Sequence, residues 1–307
     1  MTSHPQQPRV GFVGLGIMGT PMAGHLADAG HLVAVHDIDA EAVATFVEKH
    51  PETTAAAGPA ELAASCDIVM TMLPDGHVVQ EVVLGDGGLA EGLVAGALLV
   101  DTSSSQPWLT KETAARLAER AVAMVDAPVS GAQWGAEAAE LVFMVGGTEP
   151  DAERARPLLE VLGRAVFHLG PLGSGHIMKS INNTVTAMTL QATLEGLALG
   201  VRAGLDPHEM NGVFNESTAG SWITRTHIDQ RILSRTFDDP FRLALMRKDI
   251  DIATGLADQL DLDLPMAALC ATSYRLADEE AGPGSSLSEI GHWVEQRTGV
   301  TISREAS

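Results

Sequence analysis

Positive charge and aromatic side chains are both scarce in this sequence. Lysine and arginine together number 19 against 40 aspartate and glutamate residues, which gives the 307-residue chain a formal net charge of −21 at pH 7. Nucleic acids and anionic membrane surfaces repel such a protein, and we expect neither as a partner. Because aromatic residues make up only 4% of the chain, its cores must consist mainly of alanine, valine, leucine and methionine.

Cysteine is also scarce, and long apolar runs and a secretory start are missing. The two cysteines, Cys66 and Cys270, lie in different halves of the chain, which excludes a disulfide framework and a cysteine-based metal cluster. The histidines are scattered as well, so we expect no metal. No uncharged apolar run reaches about 18 residues, the length that a membrane-spanning helix needs. Residues 1–10, MTSHPQQPRV, lack the basic and apolar parts of a signal peptide, and we expect a cytoplasmic protein.

Short apolar runs alternate with helical stretches from Arg9 to about Gly170. Strands that alternate with helices predict a parallel sheet covered by helices on both faces. The runs interpreted as strands are RVGFVGLG, HLVAVHD, CDIVMTML, ALLVDTS, VAMVDAP, ELVFMVGG and AVFHLG. The first part of the chain is therefore predicted to be an α/β domain with a doubly wound sheet.

The strand pattern stops after about Gly175. One long helical pattern begins there and ends at Gly204, which suits a C-terminal cap. Further helical stretches follow near residues 207–216, 240–260 and 264–279. We therefore predict two domains: residues 1–172 form the α/β domain, and residues 173–307 form an all-α domain that starts with one long interdomain helix.

A glycine-rich turn follows the first strand and opens a helix. It contains Gly14, Gly16 and Gly19 as G-x-G-x-x-G, and the strand-turn-helix context makes this a Rossmann dinucleotide-binding fingerprint. The first glycine permits a tight turn, the second lets a pyrophosphate approach the backbone, and the third lets the helix pack on the strand. The residues expected to contact the dinucleotide here are Gly14, Leu15, Gly16, Ile17, Met18 and Gly19.

An acidic residue at the end of the second strand selects the cofactor. Asp37 lies 23 residues after Gly14, where a carboxylate can bind the adenosine ribose hydroxyls and repel a 2′-phosphate. We therefore predict NAD rather than NADP. Asp39 is the rival for this role, but it lies beyond the strand and is expected to cap the next helix.

Two further strand ends are candidates for cofactor contacts. Ligands of open α/β sheets bind at the carboxyl ends of the strands. The residues expected there are Met72 and Leu73 at the end of the run CDIVMTML, Pro74 directly after it, and Ser104 directly after the run ALLVDTS. Ser105 or Gln106 suits the N-cap of the helix that Pro107 begins.

One of only four lysines stands in the first turns of the long apolar helix. Lys179 lies between Met178, Ile177 and Ile181 in GHIMKSINN. A buried ammonium group is costly unless it is paired. Lys179 therefore either lies on the solvent-facing side of the helix or faces a functional site.

Four separated motifs together resemble the β-hydroxyacid dehydrogenases. They are GFVGLGIMGTPMAGHL, DAPVSGAQWGA, GSGHIMKSINN and RKDIDIA, in that order over nearly the full length of the chain. The resemblance implies an NAD-dependent oxidoreductase that interconverts a short 3-hydroxy acid, such as 3-hydroxyisobutyrate, and its semialdehyde. It also implies that the long helix packs against a second subunit in a homodimer or homotetramer.

The resemblance also assigns roles to residues. It implies that Ser130, Gly131 and Ala132 hold the substrate carboxylate, although Ala132 replaces the second glycine of the family's Asp-x-Pro-Val-Ser-Gly-Gly. Trp222 is a further candidate for the substrate pocket. In place of the family's Gly-Thr pair, Ala139 and Glu140 precede the next strand, which leaves the exact substrate open.

Lys179 aligns with the catalytic lysine of the family, and Asn183 aligns with its partner asparagine. Residues four apart share one face of a helix, so both side chains can reach one substrate oxygen. The resemblance implies that Lys179 is the general acid and base of hydride transfer. It also implies that Lys248, in RKDIDIA, reaches the nicotinamide end of the cofactor, with Asp249 orienting a lysine or capping a helix.

Three other interpretations keep the same fold. Imine reductases or other carbonyl reductases share the architecture, but the presence of Lys179 argues against an imine reductase. 6-Phosphogluconate dehydrogenase has a longer helical domain and basic residues for a phosphate, whereas this chain is short and poor in lysine. A non-catalytic dinucleotide-binding scaffold is also conceivable, yet such a scaffold has no reason to keep both Lys179 and Asn183.

Overall fold

The computed structural model describes residues 8–303, so the N-terminal segment considered above for a signal peptide lies largely outside the described residues. The chain forms two compact units, of which the first ends at Lys179 and the second begins at Ser180. Each unit is described by itself.

Within residues 8–179, the first unit contains nine strands and eight helices, followed by the start of a ninth helix. The strands are β1 Val10–Val13, β2 Leu32–His36, β3 Thr54–Ala55, β4 Ile68–Thr71, β5 Leu98–Asp101, β6 Ala123–Asp126, β7 Val129–Ser130, β8 Leu141–Gly146 and β9 Gly163–Gly170. The helices are α1 Gly19–Asp28, α2 Ala40–Lys49, α3 Pro59–Ala64, α4 Gly76–Leu84, α5 Leu89–Gly92, α6 Pro107–Ala118, α7 Ala132–Glu137 and α8 Glu149–Leu162, and α9 begins at Ser174.

The sheet confirms the predicted doubly wound architecture. Strands β1 to β6 are parallel in the order β3-β2-β1-β4-β5-β6, so the direction of winding reverses between β1 and β4. Val13, Thr71, Asp101 and Asp126 stand opposite one another in neighbouring strands. The loops that follow these four strands therefore leave the sheet at one common edge, which is where ligands of such sheets bind.

The far side of the sheet differs from the parallel arrangement that the sequence predicts. Strand β8 runs antiparallel to both β6 and β7, and only β9 pairs with it in parallel. A parallel return needs a crossover of a dozen or more residues that packs on one face of the sheet. The segment between β6 and β8 instead spends its residues on β7 and the short helix α7, and β8 returns beside β6 in the opposite direction.

Apolar side chains cover both faces of this sheet. One core lies around Phe12, Met70 and Phe143, and another lies around Val69 and Leu99. Alternate residues of β4, such as Val69 and Met70, thus belong to different cores, as side chains of a strand point to opposite faces. The sheet is buried on both sides, which explains why its strands are continuous apolar runs.

The second unit is helical. It contains most of α9 Ser174–Arg202, then α10 Pro207–Glu216, a π-helix Ile223–Leu233, α11 Leu243–Gln259, α12 Pro265–Ala281 and α13 Glu289–Thr298. Leu190, Leu194 and Leu197 follow the spacing of one helical face and are fully buried. The single tyrosine, Tyr274, lies in this core and donates a hydrogen bond to the carbonyl of Ala187 at 3.2 Å. Within residues 8–303, no helix combines the length and the apolar character needed to cross a membrane.

Candidate active site

The glycine-rich loop between β1 and α1 has the geometry of a dinucleotide cradle. Gly14 has φ +103°, a conformation that side chains rarely adopt. A Cβ atom at Gly19 would collide with the carbonyl oxygen of Gly14, so close packing requires glycine there. At Gly16 an added Cβ would meet no described atom within 4 Å. Packing does not explain that glycine, whereas the approach of a pyrophosphate to the backbone does. These residues therefore fit a dinucleotide.

Asp37 is tied directly to this loop. Its Oδ2 accepts a hydrogen bond from the backbone N–H of Leu15 at 2.6 Å, and its Oδ1 accepts one from Asp39 at 2.8 Å. Asp39 in turn caps α2 by accepting bonds from the N–H groups of Glu41 and Ala42, which confirms the role that the sequence predicts for it. The carboxylate of Asp37 is thus placed beside the glycine loop, at the end of β2, where a ribose would lie.

The ends of β4 and β5 are joined by side-chain hydrogen bonds. The N–H of Leu73 donates to Ser103 Oγ at 2.9 Å, and Thr71 Oγ1 donates to Asp101 Oδ1 at 2.9 Å. Ser105 donates to Asp101 Oδ2 at 3.0 Å rather than capping the next helix. The N-cap of α6 is Gln106, followed by Pro107 as expected. The segments that contain Met72, Leu73, Pro74 and Ser104 are therefore linked to each other by hydrogen bonds at the sheet edge.

The predicted carboxylate-binding turn lies between β7 and α7. Ser130 ends β7 and is half-buried, while Gly131 and Ala132 both have positive φ, at +140° and +54°. Ala132 is exposed and adopts a left-handed conformation that alanine disfavours by about 1–2 kcal/mol. The backbone of this turn is therefore held in a conformation that glycine would adopt more easily. Trp134, two residues further on, is 51% exposed.

A buried polar cluster lies under the first turn of α9. Asp126, at the end of β6, accepts hydrogen bonds from the backbone N–H groups of Gly173 at 2.7 Å and His176 at 2.8 Å. The ring of His176 is 1% exposed and contacts Thr110 and the carbonyl of Ser103. Burial raises the pKa of the Asp126 carboxyl, and the neighbouring His176 and the two backbone donors oppose this shift. The cluster was not predicted, although Asp126 and His176 stand within DAPVSGAQWGA and GSGHIMKSINN.

Lys179 lies on α9 one turn after His176. It is half-buried, so it is neither in the core nor freely solvated. Asn183 follows it by four residues on the same helix and is 6% exposed.

Asn183 and Lys248 are joined through one buried carboxylate. Asp249 is 1% exposed; its Oδ2 accepts a hydrogen bond from Asn183 Nδ2 at 2.5 Å, and its Oδ1 lies 3.4 Å from Lys248 Nζ. Asn182 donates to Asn183 Oδ1 at 3.2 Å. Because an ionised carboxylate only accepts, the amide nitrogen of Asn183 must face Asp249. Asp249 therefore orients a lysine, as one of its two predicted roles stated, and it also fixes the amide of Asn183, which the sequence did not reveal.

Trp222 immediately precedes the π-helix of the second unit. Its ring is 49% exposed and lies 6.4 Å from the ring of His227, measured between centroids. His227 is itself buried and forms a 3.1 Å contact with Asp239. π-Helical turns are rare and often occur at functional sites. Trp222 is thus an exposed aromatic residue on a braced segment.

The contacts described above fall into two groups. In the first unit, they connect the glycine loop with Asp37, and the β4 and β5 ends with the start of α9. In the second unit, they connect Asn183 with Lys248. Among residues 8–303, no group of three or more histidine, cysteine, aspartate or glutamate side chains is arranged to hold a metal ion.

Two sequence-family models match the chain. One, described as the NAD binding domain of 6-phosphogluconate dehydrogenase, matches residues 9–170. The other, described as "NAD-binding of NADP-dependent 3-hydroxyisobutyrate dehydrogenase", matches residues 173–294. The two matches follow each other along the chain.

Individual relatives are similar over nearly their full length. A 2-(hydroxymethyl)glutarate dehydrogenase of Eubacterium barkeri is 35% identical over 296 residues, which cover 96% of this chain and 97% of the relative. A 3-hydroxyisobutyrate dehydrogenase of Pseudomonas aeruginosa is 36% identical over 292 residues, covering 92% and 97%. A solved structure of Mycobacterium tuberculosis 3-hydroxyisobutyrate dehydrogenase with L-serine has a TM-score of 0.83 and 29% identity, covering 94% of this chain and 99% of that one.

Proposed function

The chain belongs to the β-hydroxyacid dehydrogenase family, and we propose that Lys179 and Asn183 carry out its chemistry on a short 3-hydroxy acid resembling 3-hydroxyisobutyrate. The protein is an NAD-dependent oxidoreductase of hydroxy acids. The proposal assigns a role to each end of the substrate. The carboxylate is held near Ser130, and the 3-hydroxyl group is interconverted with the aldehyde of a semialdehyde.

The observation that carries this proposal is the link between Asn183, Asp249 and Lys248. Asp249 holds Asn183 and Lys248 at 2.5 and 3.4 Å. A buried carboxylate is costly unless it is paired, and this one is paired with two residues from motifs 65 positions apart. An arrangement of this kind supports a preorganised site rather than a scaffold, because fixed polar groups are what a reacting oxygen requires.

Each residue has a specific part in the proposed reaction. Bound NAD supplies the hydride acceptor, or the hydride donor when it is reduced. Lys179 removes the proton from the 3-hydroxyl group during oxidation and returns it during reduction. Its ammonium form also stabilises the negative charge that develops on that oxygen. Asn183, oriented by Asp249, donates a hydrogen bond to the same oxygen, and Lys248 contacts the nicotinamide end of the cofactor.

The substrate carboxylate is proposed to bind at the turn formed by Ser130, Gly131 and Ala132. A hydroxyl group and backbone N–H groups in such a turn form a site for an anion. Trp222 is proposed as a further substrate contact. Exposed Ala132 and Trp134 lie close to Ser130 in the chain, so they are candidates for limiting the substituent on the second carbon of the substrate.

A substrate panel tests the proposed function. We expect turnover with NAD and at least one short 3-hydroxy acid, followed through the absorbance of reduced nicotinamide. Ser130→Ala should raise KM for that acid by about tenfold or more, because a hydrogen bond to a charged group is worth about 1.5–3 kcal/mol. Gln133→Ala is the matched control, since the Gln133 side chain donates to Glu137. A panel that is silent in both directions, from a protein that still binds NAD, would reject the substrate class.

Cofactor preference is tested by a pair of neighbouring aspartates. Wild-type protein should have a higher kcat/KM with NAD than with NADP. Asp37→Asn should shift the ratio toward NADP by about tenfold or more, since like-charge repulsion costs several kcal/mol. Asp39→Asn is the control, because it also removes one negative charge but retains a residue that can cap α2. A wild-type preference for NADP, or an equal shift in both variants, contradicts the role of Asp37.

The two predicted domains are proposed to divide these tasks. Residues 1–172 bind the dinucleotide, and residues 173–307 provide substrate contacts and the subunit interface. The family matches to residues 9–170 and 173–294 support the position of the boundary between the two domains. Apolar side chains along α9 are exposed, namely Ile181, Val185 and Leu199, which supports a homodimer or homotetramer. Light scattering of the purified protein measures that mass directly, and a monomer would reject it.

A cytoplasmic location is also proposed. Cys66 and Cys270 are both buried and form no disulfide, and free thiols are typical of a reducing compartment. Fractionation of cells that contain the protein would test the location, and recovery from an oxidising compartment would reject it.

A further inference from the structure

The N-terminus of α9 is capped by a residue of the sheet rather than by its own side chains. The helix begins at Ser174, so Gly173 is its N-cap residue and His176 is its third residue. In a capping box, side chains at these two positions bond each other's backbone N–H groups. Here glycine has no side chain to offer, and one carboxylate, that of Asp126, accepts from both N–H groups. The start of the helix is therefore fixed to the end of β6.

The first turn of α9 is closely packed against the sheet. A Cβ atom at Gly175 would collide with the carbonyl oxygen of Met144 in β8 and would lie 2.9 Å from Asp126 Oδ2. A Cβ atom at Gly146 would lie 2.8 Å from the backbone nitrogen of Ser174. Backbone thus lies directly against backbone on both sides of the Asp126 carboxylate, and the first turn of α9 packs tightly on β8.

The ring of His176 ties the same turn to the loop after β5. Its Nε2 lies 3.1 Å from the carbonyl oxygen of Ser103, and its Nδ1 lies 2.8 Å from Thr110 Oγ1 in α6. A carbonyl oxygen can only accept a hydrogen bond, so Nε2 carries the proton and is the hydrogen-bond donor. The buried carboxylates of Asp101 and Asp126 flank the ring at 3.6 Å from Nε2 and 3.7 Å from Nδ1. Every polar side of the imidazole is therefore engaged.

The bonds continue from His176 to the segments assigned to the cofactor. Ser103, whose carbonyl binds His176, also accepts at its hydroxyl from the N–H of Leu73, and its own N–H donates to Asp101. Leu73 and Ser104 belong to the predicted cofactor contacts. One unbroken chain of contacts thus runs from the cofactor edge of β4 and β5 to the helical turn that precedes Lys179.

We propose that Asp126 and His176 are positioning residues, which fix the first turn of α9 and thereby place Lys179 against the cofactor edge of the sheet. This inference rests on the proposed role of Lys179 in proton transfer. Lys179 follows His176 by three residues on one continuous helix, so a shift of the first turn moves its side chain directly. Neither residue needs to contact the substrate to affect turnover, because a misplacement of about 1 Å can cost on the order of 100-fold in rate.

The test uses a pair of threonines on α6. Thr110→Val removes the hydroxyl that contacts His176 while preserving volume and shape. Thr113→Val makes the same change one turn away, at a residue that is also buried. We expect Thr110→Val to lower kcat by about tenfold with KM for NAD changed by less than about twofold. Thr110→Ser, which restores the hydroxyl, should recover most of kcat, and Thr113→Val should match the wild type.

A second readout does not depend on turnover. The chain has four lysines, so their rates of acetylation by acetic anhydride can be followed one by one by mass spectrometry. Thr110→Val and His176→Gln should each change the rate at Lys179 by about threefold or more, because a shift of the first turn of α9 changes the surroundings of this side chain. The rate at Lys49, which lies in α2, should stay constant and serve as the internal reference.

The outcomes distinguish a failure of the positioning role from a failure of the proposed function. If Lys179→Ala abolishes turnover while Thr110→Val and His176→Gln keep the kcat and the Lys179 reactivity of the wild type, the positioning role is wrong and the proposed function stands. Equal losses in Thr110→Val and Thr113→Val also overturn it, since they indicate only a general packing defect. If Lys179→Ala retains turnover, the proposed function itself fails.

Discussion

Replacement of Lys179 by alanine should lower kcat by about 10²–10⁴-fold, the range that general acid–base catalysis contributes. The side chain lies half-buried on α9, one turn beyond a helix start that is fixed to the sheet. Alanine removes both the proton donor and the positive charge that stabilises the substrate oxygen. Cofactor binding should persist, because the glycine loop and Asp37 belong to a different part of the first unit.

Two controls show whether the loss belongs to this lysine. Lys179→Arg keeps the charge but cannot release a proton at neutral pH, so it should remain strongly impaired. Lys49→Ala removes another of the four lysines and should leave kcat unchanged. Steady-state kinetics with the best substrate of the panel, together with a titration of NADH binding, measures both effects. Wild-type turnover by Lys179→Ala would remove this residue from the mechanism.

Replacement of Gly175 by alanine should cause a large loss of stability. The new Cβ would collide with the backbone carbonyl of Met144 and press on Asp126. Because backbone atoms cannot turn away as the end of a flexible side chain can, the start of α9 would have to shift. We expect a loss of about 3 kcal/mol in the free energy of unfolding, the upper part of the usual range for overpacking.

Gly212 provides the matched control for this substitution. It lies in α10, and an added Cβ there would meet no described atom within 4 Å. Gly212→Ala should therefore stabilise the protein by about 0.5–1 kcal/mol, because alanine loses less conformational freedom than glycine on entering a helix. Urea denaturation of both variants compares the two changes. A Gly175→Ala protein as stable as the wild type would mean that α9 is not held tightly against the sheet.

The fold of the first unit was largely predictable because its signals are local. Apolar runs marked its major strands, and the glycine loop marked the first strand-to-helix turn. Asp39 was correctly placed as the cap of α2. The direction of β8 was not predictable, since a buried run looks the same in either direction. The two-residue strand β3 was too short to give a pattern.

The helical unit shows where local signals end. The stretch near 207–216 was predicted and coincides with α10. The π-helix Ile223–Leu233 was missed, because tertiary contacts rather than its own sequence hold it. Asn211 donates to the carbonyl of Thr224 at 2.9 Å. Helix α13 was also missed, since its apolar residues are few and their partners lie far away in the chain.

The candidate site divides in the same way. Lys179 and Asn183 were proposed from the sequence because their motif resembles that of the family and because residues four apart share one face of a helix. Asp126 and His176 were missed as a pair, since they are 50 residues apart and meet only through the packing of α9 on β6. The signal that pointed to them was their position within two of the quoted motifs. Polar residues that have no assigned role in a motif can therefore have contacts that only the structure reveals.

The most direct measurement of the central claim follows a deuterium atom. NADH deuterated at nicotinamide C4, in separate samples labelled on each face, is supplied with the best short semialdehyde, and the product is analysed by mass spectrometry. The account predicts a 3-hydroxy acid that carries deuterium on its third carbon from one of the two labelled forms, and about 10²–10⁴-fold less of this product in the same time with Lys179→Ala. Product without deuterium from either form, or equal labelling by Lys179→Ala, would contradict it.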